Sequence, residues 1–244
     1  MTTDNPAARL LAILQQGKTF PATTPTKDVW EKILGIDEQG VGKESLLMAK
    51  LSQFVLLPHQ VEKLIAEHYP ELSENLRYSM DKLQSAVLGQ NLSGQWTSFS
   101  GHVDQHSLST LSMAAALLDH KLDTKLIESE QLQGFKTKIQ DILDTSIQSN
   151  LNMEFKKYIQ HYMQKILTAI DDYLISGAQP ILDALEATLG HAVLDPEFKE
   201  DLKETETGSK IREVLGDLAN VVTIATAATG AIAFIANNGV PLLN

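Results

Sequence analysis

Apolar residues along the chain recur at spacings of three and four, and no stretch alternates with period two for long enough to predict a strand. The pattern predicts an all-α protein, a multi-helix bundle with a C-terminal hydrophobic helix. Asn5 before Pro6 reads as an N-cap followed by a first-turn proline, with Leu10, Leu11, Ile13 and Leu14 on one face and Gly17 as the stop. A Thr/Pro linker over 19–26 leads to a turn or two around Val29, Trp30, Ile33 and Leu34, then to a glycine-containing loop over 35–42. Leu46, Leu47, Leu51, Phe54 and Val55 mark the next helix. Pro58 opens another, through Val61, Leu64 and Ile65, and Pro70 closes it before a further run over 72–88.

The stretch 89–101 is the least periodic internal one, with three glycines, three serines, and Trp96 and Phe99 as anchors onto the core. It is the expected boundary between an N-terminal helical half, 1–88, and a C-terminal half, 104–207, joined by a loop over 89–103. Asp104 caps a helix through Leu118. A cap near Ser129 starts one with Leu132, Phe135, Ile139, Ile142 and Leu143 inward. The clearest helix spans 152–176, its stripe carrying Phe155, Tyr158, Ile159, Tyr162, Met163, Ile166, Leu167, Ile170, Tyr173 and Leu174. Gly177 ends it. Pro180 starts a shorter partner that Gly190 closes, and 195–207, with six acids and two lysines, reads as a solvated connector to a tail helix over 208–244.

Composition narrows the function classes. The 244 residues hold 20 basic and 31 acidic side chains, a net charge of −11, 43% apolar residues and no cysteine. Disulfides, thiolate metal sites, iron–sulfur clusters and cysteine nucleophiles are excluded together. The acidic balance argues against nucleic-acid binding, which needs clustered Lys and Arg. Residues 1–16 place Asp4 and Arg9 around a short amphipathic stretch with no basic leader, which predicts a cytoplasmic protein.

The segment FKKYIQHYMQKILTAIDDYLISGAQPILDALEATLGHAVL, 155–194, resembles a family of uncharacterised bacterial helical proteins. These share a long helix ending in an acidic-Tyr pair, here Asp172 and Tyr173, then a glycine, here Gly177, and an Ala-Leu-Glu helix ending in Leu-Gly. The N-terminal VWEKILG and the Trp96/Phe99 pair fit the same pattern. The resemblance covers about forty residues well and the rest loosely. It implies a helical fold and a place in bacterial defence or toxin-like systems, and it supplies no active-site residues.

Chemistry motifs fail on spacing. Gly40-Val-Gly42-Lys43-Glu44-Ser45 has Asp37 where a phosphate loop needs its first glycine, and Glu44 where it needs a hydroxyl. His102 and His106 stand four apart, but Asp104 between them is the expected cap, so His102 falls outside the helix; His120 lies roughly 21 Å further along the axis. Ser100, His102 and Asp104 are too close in sequence to form a triad. Adjacent Asp171 and Asp172 point about 100° apart. Tyr158, Tyr162 and Tyr173 read as core, with a ligand pocket between helices as the rival reading. No cofactor and no metal are expected, and the protein is read as a non-enzyme.

After Asp217 the sequence carries no charge. A helix capped by Ser209, with Ile211, Val214 and Leu215, is expected to run unbroken into 218–236, LANVVTIATAATGAIAFIA. At 1.5 Å per residue that segment reaches about 28 Å, enough for a bilayer core. Its seven Leu, Val, Ile and Phe residues contribute only about −2 to −4 kcal/mol to insertion. Small residues at four-residue spacing, Thr226/Gly230, Ala227/Ala231 and Thr229/Ala233, favour helix pairing. The expectation is a membrane-acting or tail-anchored helical effector whose bundle binds a regulatory protein partner and which associates with the inner membrane through 218–236. Insertion and oligomer contact would fall on Val221, Val222, Ile224, Ala227, Gly230, Ala231, Ile232 and Phe234. The rival is an interaction or adaptor protein with that helix buried in its core or in a homo-oligomer seam.

Overall fold

Two caps expected from the sequence, Asn5 and Asp104, form in the computed structural model, which describes residues 4–36 and 42–227. Asn5 accepts the Ala8 amide at 2.9 Å and opens α1 (Pro6–Gly17). Then come α2 (Thr26–Ile33), α3 (Gly42–Phe54) and α4 (Leu57–His68), with Pro58 in its first turn. A 3-10 turn (Pro70–Leu72) leads into α5 (Ser73–Gly89), and α6 (Thr97–Ser100) precedes α7 (Gln105–Asp119). The Asp104 carboxylate takes the Ser107 amide at 2.8 Å and caps α7. The later helices are α8 (Ser129–Gln148), α9 (Met153–Asp171), α10 (Tyr173–Ser176), α11 (Gln179–Leu194), α12 (Pro196–Glu204) and α13 (Glu206–Thr226). The protein is all-α; a lone bridge between Pro25 and Gln95 is the extended pairing among the described residues.

The chain forms two compact units. The first holds residues up to Asp123 together with Leu174–Gly177. In it α1 packs against α4 and α7, and α5 packs against both of these. Trp30, Phe54, Trp96 and Phe99 form one aromatic cluster, with the Trp30 ring 4.8 Å from Phe54, 5.2 Å from Trp96 and 5.1 Å from Phe99. The segment 89–101 therefore lies within the first unit, and the units divide after Asp123 instead. Backbone bonds show why: Trp96 donates to Thr24 at 2.8 Å, Thr97 to Ala22 at 2.9 Å and Thr26 to Gly94 at 3.0 Å, so the aperiodic stretch is sewn to the α1–α2 linker.

Helix α10 carries the chain briefly into this first unit. Ile175 is buried in its core, and the Ile175 carbonyl accepts from Arg9 Nε at 3.0 Å. The Arg9 guanidinium is paired with buried Asp4, and Ser176 donates to Gln53 at 2.8 Å. Gly177 turns the chain at φ +72°, with the Arg9 guanidinium filling the space a Cβ would need. The single helix expected over 152–176 is accordingly interrupted at Asp172.

In the second unit α8, α9, α11 and α13 close a ring in which each helix packs on two others. Three expectations change here. Helix α11 continues through Gly190 to Leu194, because buried Ala192 holds a last turn whose glycine faces open space. The acidic stretch 195–207 is largely α12, with Phe198 and Leu202 in the core and the charges turned outward. Helix α13 is capped by Thr205, whose hydroxyl accepts the Gly208 amide at 2.9 Å, rather than by Ser209. Gly208 lets α12 and α13 close up: a Cβ there would stand 2.5 Å from the carbonyl oxygens of Asp201 and Leu202.

The unbroken helix expected through residue 236 stops at Thr226. Ala227 follows it at φ +52°, in the left-handed region. The Lys125 amide donates to the Ala225 carbonyl at 3.0 Å, taking an acceptor that a continuing helix would offer to residue 229. Among the described residues no helix is long and apolar enough to cross a membrane.

Candidate functional site

Of the residues expected to insert or pair, Val222 is fully buried in the second core, beside Leu218, Ala219 and Ala225. Val221 is half-buried against the same core, Ile224 is 58% exposed, and Ala227 is the left-handed cap. Val221 and Ile224, three residues apart, share one flank of α13, whereas Val222 between them turns into the core, so the expected contact residues do not all lie on one exposed face. Gly230, Ala231, Ile232 and Phe234 lie outside the described residues.

Three residues of the motifs weighed in the sequence, Lys43, Glu44 and Asp104, are committed to local structure. Lys43 pairs with Glu31 at 2.8 Å and Glu44 with Lys27 at 2.5 Å, fastening the start of α3. Lys82 bonds Asp104 at 2.5 Å; that bond, with the Ser107 amide, holds the Asp104 carboxyl well below the usual carboxylate range. No group of three or more His, Asp or Glu is placed to hold a metal ion among the described residues.

The tyrosines expected in the core of the long helix divide. Tyr173 accepts the Ile127 amide at 2.8 Å. Tyr158 and Tyr162 instead stack on His191 at 4.3 and 5.2 Å, with the Phe198 ring 5.0 Å from the imidazole. Asp195 caps α12 through the amides of Glu197 and Phe198 at 3.0 and 3.1 Å, and its other oxygen stands 3.5 Å from His191 Nε2. Desolvation, and then the Asp195 charge, push the Tyr158 phenol up; desolvation does the same for Tyr162. The Phe198 ring also lies 5.5 Å from Tyr158 and 6.0 Å from Tyr162. An open polar groove of about 570 Å³ between α8 and α9 is lined by groups such as Lys136 and Asp171, which pair with each other.

The apolar groove that stands out lies elsewhere, and the sequence reading did not find it. In the first unit α3 and α5 leave an apolar groove of about 330 Å³ between Met48, Leu51 and Val55 on one side and Val87, Leu88 and Leu92 on the other. Met48 is 51% and Leu88 70% exposed, while Leu51 and Val87 are buried and form the floor. The two polar residues of the lining are satisfied internally. Gln90 accepts the Trp30 indole at 2.5 Å and donates to Val87 at 2.9 Å, and Ser52 donates to Ala49 at 2.7 Å. No charged side chain lines the groove. One signal pointed to it: α3 has more apolar residues than one core-facing stripe can use, Met48 being the surplus.

Compared with known protein families, curated proteins and solved structures, the chain matches none.

Proposed function

We propose that the protein is a helical interaction protein, in which the α3–α5 groove receives an apolar segment of a protein partner and α13 serves as core. The observation that carries this reading is the groove itself: uncharged, with its polar atoms already bonded and with Leu88 and Met48 presented to solvent. Flexible Met and Leu side chains over a buried aliphatic floor suit the apolar face of a helix or an extended peptide. Burial of Leu218, Ala219, Val222 and Ala225 supports the same reading against a lipid-spanning tail, because a span over 218–236 would first have to pull these side chains out of the second core. Fully burying each large aliphatic one is worth about 1.5–3 kcal/mol.

A photo-crosslinking residue placed at Leu88 in producing cells tests the proposal, with the same residue at Asp171 as the control. Discrete adducts at position 88 and none at 171 are expected. Absence of any adduct at 88 contradicts the reading.

A further inference from the structure

We infer that the seam between α5 and α7 binds one internal water molecule, held between the hydroxyls of Ser79 and Ser107.

Five serines and threonines are buried among the described residues: Thr26, Ser79, Ser107, Ser146 and Thr188. Three of them spend their hydroxyls on backbone carbonyls. Thr26 donates to Gly94 at 3.2 Å, Ser146 to Leu143 at 2.8 Å and Thr188 to Ala184 at 2.8 Å. Bonding back to the preceding turn is the ordinary way for a helix to hide a hydroxyl. Ser79 and Ser107 do not use it. They are 0% and 1% exposed, and each Oγ is closed off from solvent without making a hydrogen bond. A hydroxyl left in that condition costs stability, so a pair of them in one seam calls for a shared partner.

The two residues lie opposite each other. Helices α5 and α7 pack together. Lys82 of α5 donates to Asp104 at the start of α7 at 2.5 Å, and Tyr69, just before α5, donates to the Leu117 carbonyl near the end of α7 at 3.0 Å. The helices are therefore antiparallel. One turn from the Lys82–Asp104 bridge, back along α5 and forward along α7, arrives at Ser79 and Ser107. No direct bond joins their Oγ atoms, whereas one water between them serves both. An internal water makes about three bonds, and the Asp104 carboxylate is within the same turn to accept a further one. Lys82 first, and then the amide and hydroxyl of Ser107, hold that carboxylate below the usual range, so it stays an acceptor. A bridge of this kind also fixes how α5 lies on α7, and α5 carries Val87 and Leu88 of the apolar groove.

Rotating-frame Overhauser spectra of the isotope-labelled full chain test this, together with urea unfolding of Ser79→Ala, Ser107→Ala and the double variant. A cross-peak of dipolar sign between water and the protons of Ser79 and Ser107 is expected in the parent, with its loss in the double variant. Each single variant strands the remaining hydroxyl and should lower the folding equilibrium constant about tenfold. The double variant has no hydroxyl left to satisfy and should return to within about threefold of the parent. A parent without the cross-peak overturns the inference, whether the hydroxyls then bond each other directly or stay unpaired. A single variant that stabilises the protein or leaves it unchanged overturns it as well, because that hydroxyl would have had no partner to lose. So does a double variant whose loss is the product of the two single losses.

Discussion

Ala227 pays a conformational cost that its sequence conceals. An L-residue with a Cβ is disfavoured at φ +52°, and glycine is the common solution at this position after a helix. Ala227→Gly should therefore stabilise the protein by about 1 kcal/mol despite the extra freedom it gives the unfolded chain, as read from urea midpoints. Gly177 is the opposite case. At φ +72° and against the Arg9 guanidinium, Gly177→Ala should destabilise by about 2–4 kcal/mol, measured the same way. Asp104 gives a pH signature. Its folded carboxyl titrates below the unfolded value, which is about 3.9. The stability it contributes is complete above about pH 4 and is lost as the pH falls below that. Asp104→Asn keeps an acceptor for the cap but loses the Lys82 pair, so its stability should fall less steeply in acid than that of the parent.

Elements were legible where a short-range signal fixes them and illegible where packing decides. Asn5, Asp104 and Asn152 cap helices as their sequence positions imply, since a cap needs only a side-chain oxygen and an amide two or three residues on. Gly190 was expected to end α11, but a glycine penalty of about 1 kcal/mol is outweighed when the following turn buries Ala192. The acidic stretch 195–207 hid α12 because two apolar residues, Phe198 and Leu202, suffice to dock a short helix. The stop at Thr226 depends on Lys125, a hundred residues away in sequence. At this scale Gly208→Ala should cost several kcal/mol, since the α12–α13 approach leaves no room for a methyl group. Val222→Asp should unfold the second unit or lower its melting temperature sharply, read by far-UV circular dichroism. A lipid-inserting Val222 would instead leave the fold intact and lose only membrane association.

At the scale of the whole molecule, the chain leaves the second unit after Tyr173, contributes Leu174–Gly177 to the first, and returns at Ala178. Neither boundary could be read from periodicity, because Tyr173, Leu174 and Ile175 form one unbroken apolar run in which Tyr173 enters the second core and Ile175 the first. Both tryptophans, Trp30 and Trp96, report on the first unit. Losing that unit releases Ile175, which lies in sequence between α9 and α11, so urea transitions followed by tryptophan fluorescence and by far-UV circular dichroism should coincide. The groove was equally hidden: exposure of Met48 and Leu88 follows from where α3 and α5 lie, and the helical pattern shows only that such residues are in excess.

The account depends on residues 218–226 being part of a folded core rather than a reserve for a bilayer. Amide hydrogen exchange over this segment in the full-length protein, with and without lipid vesicles, addresses it most directly. Protection of Leu218, Ala219, Val222 and Ala225 equal to that of α8 and α9, and unchanged by vesicles, is the predicted result. Rapid exchange in solution that slows only when lipid is added would contradict it.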